Sequence, residues 1–238
     1  MWETLTSENM TGVHFVLRWL HVFFGIIWIG HLYYFNFVQG AFMAESDAAV
    51  KSQVLQKLAP RAMWWFRWAA MWTFATGFLM LSIRGHQDGS GGGNILATPY
   101  WINILTGSFI ATLMFLNVWG LIWQKQKIVF ANAAAVAGGA APNPLAAPAA
   151  ARALVASRTN VVFSIPMLFF MLSGWHFLYT VDESSNLTAY WIAVFLLIFG
   201  LQANAMFGKT GPITTVKGVI TGGFILTAVL VAINAIFI

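Results

Sequence analysis

The run from Val13 to Gln39, VHFVLRWLHVFFGIIWIGHLYYFNFVQ, is apolar enough to belong in a bilayer, yet it carries three histidines and an arginine. A spanning helix needs about 20 predominantly apolar residues, and hydrocarbon leaves helices and closed barrels as the only backbones that satisfy their own hydrogen bonds. Read as a helix, His14, Arg18, His21, Gly25 and Trp28 follow one another at spacings of four, three, four and three, so they share one stripe. His31 lies at the edge of that stripe. An ionisable group at membrane depth is costly enough to face a partner, a cavity or a cofactor rather than lipid. This stripe is therefore the candidate working face, and the rest of the chain is expected to surround it.

Six stretches are long and apolar enough to span: 12–40, 62–83, 101–123, 159–179, 189–207 and 213–238. They predict an all-α polytopic membrane bundle of six transmembrane helices, a single domain over residues 1–238. Only 8% of the residues are charged, against about 25% in soluble domains, and the mean hydropathy is +0.74. The chain has no cysteine, which excludes disulfides, thiolate metal sites, iron–sulfur clusters and a covalently attached c-type haem. Any electron carrier is then held by histidine or sits on another chain. The first ten residues lack the basic start of a cleavable signal.

Between the first two spans, AFMAESDAAVKSQVLQKLAP reads as a short amphipathic surface helix closed by Pro60. GHQDGSGGGN reads as a flexible turn containing His86, and residues 132–151, rich in Ala, Pro and Gly, as a mobile cytoplasmic linker. Ten of the 12 Lys and Arg residues fall on one side of the six-helix arrangement, with Arg18 and Arg84 the exceptions. By the positive-inside rule that side is the cytoplasm, so both termini face outward, into the periplasm if the membrane is a bacterial inner membrane. The net charge of +5 is then a matter of topology rather than a nucleic-acid patch.

Depth separates the histidines. His21 on the first span and His176, near the outer end of the fourth, are expected at similar levels, and two imidazoles from different helices are the usual protein contribution to a b-type haem. His14 and His31 are substitutes in that role, Arg18 is a partner for a haem propionate, and Gly25, Gly77 and Gly174 leave room for a macrocycle. The alternative is that these imidazoles only hydrogen-bond between helices, and that Arg18 snorkels to the surface. On the cytoplasmic half, His31, Asn36, Arg67, Arg158, Asn160 and Asn204 form a second set able to hold a small, flat anion. The competing view makes Arg67 and Arg158 positive-inside anchors and the Asn residues cross-links between helices.

LRWLHVFFGIIWIGHLYYFNFVQ, WWFRWAAMWTFATG, ALVASRTNVVFSIPMLFFMLSGWHF and NAMFGKTGP together resemble the membrane domain of the bacterial membrane-bound urate oxidases, also called urate hydroxylases. The resemblance covers most of the chain apart from the Ala/Pro run. It implies oxidation of urate to 5-hydroxyisourate at the membrane, with electrons leaving to a cytochrome. Members of that family carry a C-terminal c-type cytochrome domain, whereas this sequence ends at Ile238 without a Cys-x-x-Cys-His motif. A separate c-type cytochrome, or a larger respiratory or photosynthetic membrane complex, is expected to take that part. Carried over by matched residues, His21 and His176 are the expected iron ligands, and Arg67, Arg158 and Asn160 the expected substrate contacts. Two other functions compete with the oxidoreductase. One is a non-catalytic haem-bearing or structural subunit of an electron-transfer complex; the other is a small-molecule transporter, disfavoured because no inverted repeat is visible.

Overall fold

A computed structural model describes residues 11–90, 94–177, 179–208 and 211–238. The apolar runs become helices, and the described residues contain no strand. Helix α1 (Thr11–Tyr33) passes through a π-helical segment (Tyr34–Gln39) into α2 (Gly40–Glu45). A short α3 (Ala48–Gln53) starts at Asp47, whose side chain accepts from the Val50 N–H at 2.8 Å, and a π turn (Val54–Leu58) leads into α4 (Ala59–Gly89). The third apolar run is α5 (Pro99–Leu116), a π segment (Asn117–Ile122) and α6 (Trp123–Ala137). Three helices follow: α7 (Ala146–His176), α8 (Leu187–Phe207) and α9 (Val216–Phe237). Asn186 and Thr215 cap the last two, each accepting from a backbone N–H three residues on.

Five segments are long and apolar enough to cross a membrane: Gly12–Glu45, Pro99–Ala137, Ala146–His176, Leu187–Asn204 and Val216–Phe237. Helix α4 is not among them, because Arg61, Arg67, Arg84 and Asp88, with three glycines, dilute its hydropathy. It is nonetheless 31 residues long and packs along α1.

Helix α7 is the axis of the bundle. Of its most apolar window 61% is buried, against 11% for that of α1, so the other helices gather around α7 while α1 lies at the edge. On its outward face α1 shows Phe15, Trp19, Val22, Phe23 and Ile26, side chains that only lipid or a partner could cover. Side-chain amides tie α7 to α8 and to the end of α5 with the π segment that follows it. Asn117 donates to Asn160 Oδ1 at 2.8 Å and to Gln202 Oε1 at 2.9 Å, Gln202 donates back to Asn117 at 2.6 Å, and Asn160 donates to the Met114 carbonyl at 2.9 Å. Polar groups in this setting hold helices together because hydrocarbon offers them no other partner.

Several local expectations are corrected. The Ala/Pro run at 132–151 is helical at both ends, since α6 continues to Ala137 and α7 begins at Ala146. Alanine is the strongest helix former, so only the part broken by Gly138, Gly139, Pro142 and Pro144 is left as a connection. Pro60 opens α4 rather than closing the helix before it, as suits a residue without an N–H in a first turn. His86 lies in the last turn of α4, not in a loop; residues 91–93 of the expected turn lie outside the described residues.

The amide cluster gives a test of the packing. Asn160→Leu removes one acceptor of the Asn117 amide and one donor to the Met114 carbonyl in a dry interior and is expected to cost about 1–2 kcal/mol. This is measured as a lowered melting temperature in detergent, and an unchanged value would remove the cluster as a structural tie.

Candidate functional site

Helices α1 and α7 meet near one end of the bundle, where the Tyr33 hydroxyl and Ser164 Oγ are 2.9 Å apart and Asn36 donates to Ser157 Oγ at 2.8 Å. On the far side of that contact, α1, α4, α5 and α7 enclose a cavity of about 590 Å³, within the roughly 300–1,000 Å³ range of small-molecule and cofactor sites. Its wall is almost wholly apolar, with His21, Gly25, Trp28, Gly77 and Met171 among the side chains that shape it. Val22 and Ile26 of α1 and Leu168 and Leu172 of α7 line it and are also exposed, so the cavity opens sideways between these two helices, toward lipid.

His21 is the histidine on this wall. Its Nδ1 lies 2.9 Å from the Thr73 carbonyl oxygen and 3.2 Å from Thr76 Oγ1. A carbonyl can only accept, so Nδ1 carries the proton and Nε2 keeps its lone pair, for which no described residue supplies a hydrogen bond. This is the arrangement seen around metal-bound imidazoles, where a backbone carbonyl on one nitrogen fixes the ring and makes the other more basic. The ring sits against Gly77: a Cβ there would be 3.0 Å from His21 Cε1, so any side chain would push it away. Trp28, 2% exposed, has an indole N–H with no partner among the described residues.

A second pocket, of about 400 Å³, lies near the Gly89 end of α4, lined by Arg84, Asp88, Asn94, Thr98, Tyr100 and Trp175 with two apolar neighbours. It continues the stripes that line the large cavity: Gly77 and Leu81 lead to Arg84 and Asp88 on α4, and Leu168 and Leu172 lead to Trp175 on α7. A polar pocket thus sits in line with the apolar one.

The remaining expected residues are placed as follows. His14 is half-buried on α1 within the electrostatic reach of Arg18 and Arg84, and Arg18 itself is exposed. The His31 Nδ1 donates to the Ile27 carbonyl of its own helix at 2.8 Å, and the ring does not line the cavity. His176 is exposed at the end of α7, one turn beyond Leu172, and is likewise absent from the wall. Arg67 lies 3.8 Å from the centroid of the Trp123 ring and 5.7 Å from that of Trp119. Arg158 donates to the carbonyls of Ile213 and Thr214, tying the turn before α9 to α7, and Asn160 belongs to the amide cluster. Arg67, Arg158 and Asn160 line neither pocket; each is engaged with a neighbour instead. Sequence reasoning passed over Thr73, Thr76, Met167 and Met171 around His21, and the group around Arg84. The available signal for the latter was that Arg84 is one of two basic residues off the basic side, four residues before an Asp.

Neither curated proteins nor solved structures gave a match to this chain. The family model described as Urate oxidase N-terminal matches residues 99–235, which takes in α5 to almost the end of α9 and leaves α1 and α4 outside. That span is more than half of the 238 residues, and the chain belongs to the urate oxidase N-terminal family.

Proposed function

We propose that this chain is a membrane oxidoreductase of the urate-oxidase type, with haem b in the cavity beside His21 and with electrons passed to a c-type cytochrome. The observation that carries the proposal is the state of His21: a fixed ring with an uncommitted nitrogen on the wall of an apolar, cofactor-sized cavity. Among the described residues no three His, Asp or Glu side chains gather as ligands, so iron here needs a macrocycle to fill its other positions. The walls fit such a group: the cavity is of cofactor size, its apolar lining excludes water, and Arg18, one turn before His21, offers a cation to a propionate.

Bound there, haem supplies a one-electron store between a two-electron substrate and a one-electron acceptor. The chain's own residues do the rest. Thr73 and Thr76 hold the imidazole, Gly77 allows it to stand close to α4, and the bilayer-facing side chains keep the site dry.

The same reading takes α4 as a sixth span. Its 31 residues reach about 46 Å at 1.5 Å each, more than the roughly 30 Å of the hydrocarbon core, and its charges lie toward its ends. Both termini are then periplasmic, and the α6–α7 connection is on the cytoplasmic side of a bacterial inner membrane.

Two measurements test this. Purified protein is expected to give a Soret band with a shifted reduced-minus-oxidised spectrum, lost in His21→Ala and kept in His176→Ala and His31→Ala; a band that survives His21→Ala would remove His21 as the ligand. A single cysteine placed at Ala141, in a chain that has none of its own, should react with an impermeant maleimide only after the inner face of spheroplasts is opened; labelling of intact spheroplasts contradicts the six-span orientation.

A further inference from the structure

The pocket at Arg84 has no part in holding the cavity's contents, yet it is the more carefully built of the two. Asp88 Oδ2 accepts from Arg84 Nε at 2.8 Å and from Trp101 Nε1 at 2.9 Å. Since Nε occupies one edge of the guanidinium, this clamp leaves the terminal nitrogens, the pair that forks a carboxylate or an enolate-like anion, without a hydrogen bond to any described residue. The guanidinium carbon also lies 5.4 Å from the ring centroids of both Tyr100 and Trp175, which are 4.9 Å from each other. The close approach that makes this wall depends on Gly174, where a Cβ would stand 3.0 Å from Ile104 and 3.4 Å from Tyr100. Trp175 remains 53% exposed, so its indole has free surface for a flat ligand, and Asn94 on the rim offers both an amide donor and an acceptor. Asp88 is committed to two donors, and Arg18 adds a second positive charge at this end of the bundle.

We infer that this pocket binds a planar organic anion, with Arg84 as the charge-reading residue and Trp175 as the stacking surface. The inference rests on the oxidoreductase reading above in taking that anion as the electron donor, and it moves substrate recognition to the Arg84 end of the bundle. Arg67, Arg158 and Asn160 then keep the structural partners they have. The alignment of the two pockets along α4 and α7 gives the arrangement its sense, because a flat anion at Arg84 lies in line with the cavity that would accept its electrons.

Calorimetric titration of the purified protein with urate, and separately with the neutral purine hypoxanthine, tests this. Saturable urate binding is expected, weakened at least tenfold in Arg84→Gln and in Trp175→Leu and unchanged in Arg67→Gln and Arg158→Gln, with hypoxanthine at least tenfold weaker than urate. Trp175→Leu alters an exposed side chain, so it reports on the pocket even if Arg84→Gln folds poorly. Urate binding that is absent, equal in Arg84→Gln and Trp175→Leu, matched by hypoxanthine, or lost in Arg67→Gln or Arg158→Gln would overturn the inference. Optical spectra of the same samples keep the two readings apart. Arg84-dependent binding without a Soret band removes the haem and keeps the pocket, and a Soret band without Arg84-dependent binding does the reverse.

Discussion

Inside hydrocarbon an imidazole N–H can bond only to protein, and His21 meets that requirement by donating to the Thr73 carbonyl across the contact between α1 and α4. Much follows from this one hydrogen bond. It fixes the ring, leaves the second nitrogen without a hydrogen bond to any described residue, and holds the imidazole on the wall of a cavity that is otherwise almost wholly apolar. The Thr73 and Thr76 hydroxyls are themselves satisfied, donating to the Ala69 and Trp72 carbonyls one turn earlier on α4. Gly77 then lets the ring close on α4.

The bundle around this contact is held by polar ties of the same kind, unevenly distributed. The Asn117, Asn160 and Gln202 cluster and the pair Thr106 and Tyr190, 2.7 Å apart, bind α5, α7 and α8 into a firm core. Helix α1 is hydrogen-bonded to α7 through Tyr33 and Asn36, α4 is tied to α5 toward the other end through Asp88 and Trp101, and the cavity lies between these contacts. Between these ties the exposed Val22, Ile26, Leu168 and Leu172 mark a lateral opening into the cavity.

Much of this was legible in the sequence. Apolar runs located the long helices, and the four-three spacing put His21, Gly25 and Trp28 on the one face of α1 that lines the cavity, while His14 and Arg18 of the same stripe lie beyond it. The Ala/Pro run was not legible: composition of that kind suits a helix as well as a tether, and only packing, with Ala133, Ala149 and Ala153 buried, decides between them. Assembly of the site was the harder matter. Depth along a helix can be counted, but the direction a residue faces depends on which neighbour it packs against. His176 therefore stands at the exposed end of α7, and Arg158 and Asn160 are engaged with α9's approach and with α5. Arg84 and Asp88 carried an i, i+4 signature whose meaning emerges only when Tyr100 and Trp175 are brought beside it.

The central claim is that the cavity exists to hold a flat iron-bearing group through His21. An experimental density map of the protein purified in mild detergent tests it most directly. The account predicts a planar feature filling the cavity lined by His21, Trp28 and Met171, held by the His21 imidazole. A map with only acyl-chain density there, and Nε2 bonded to a water or a side chain, would contradict it.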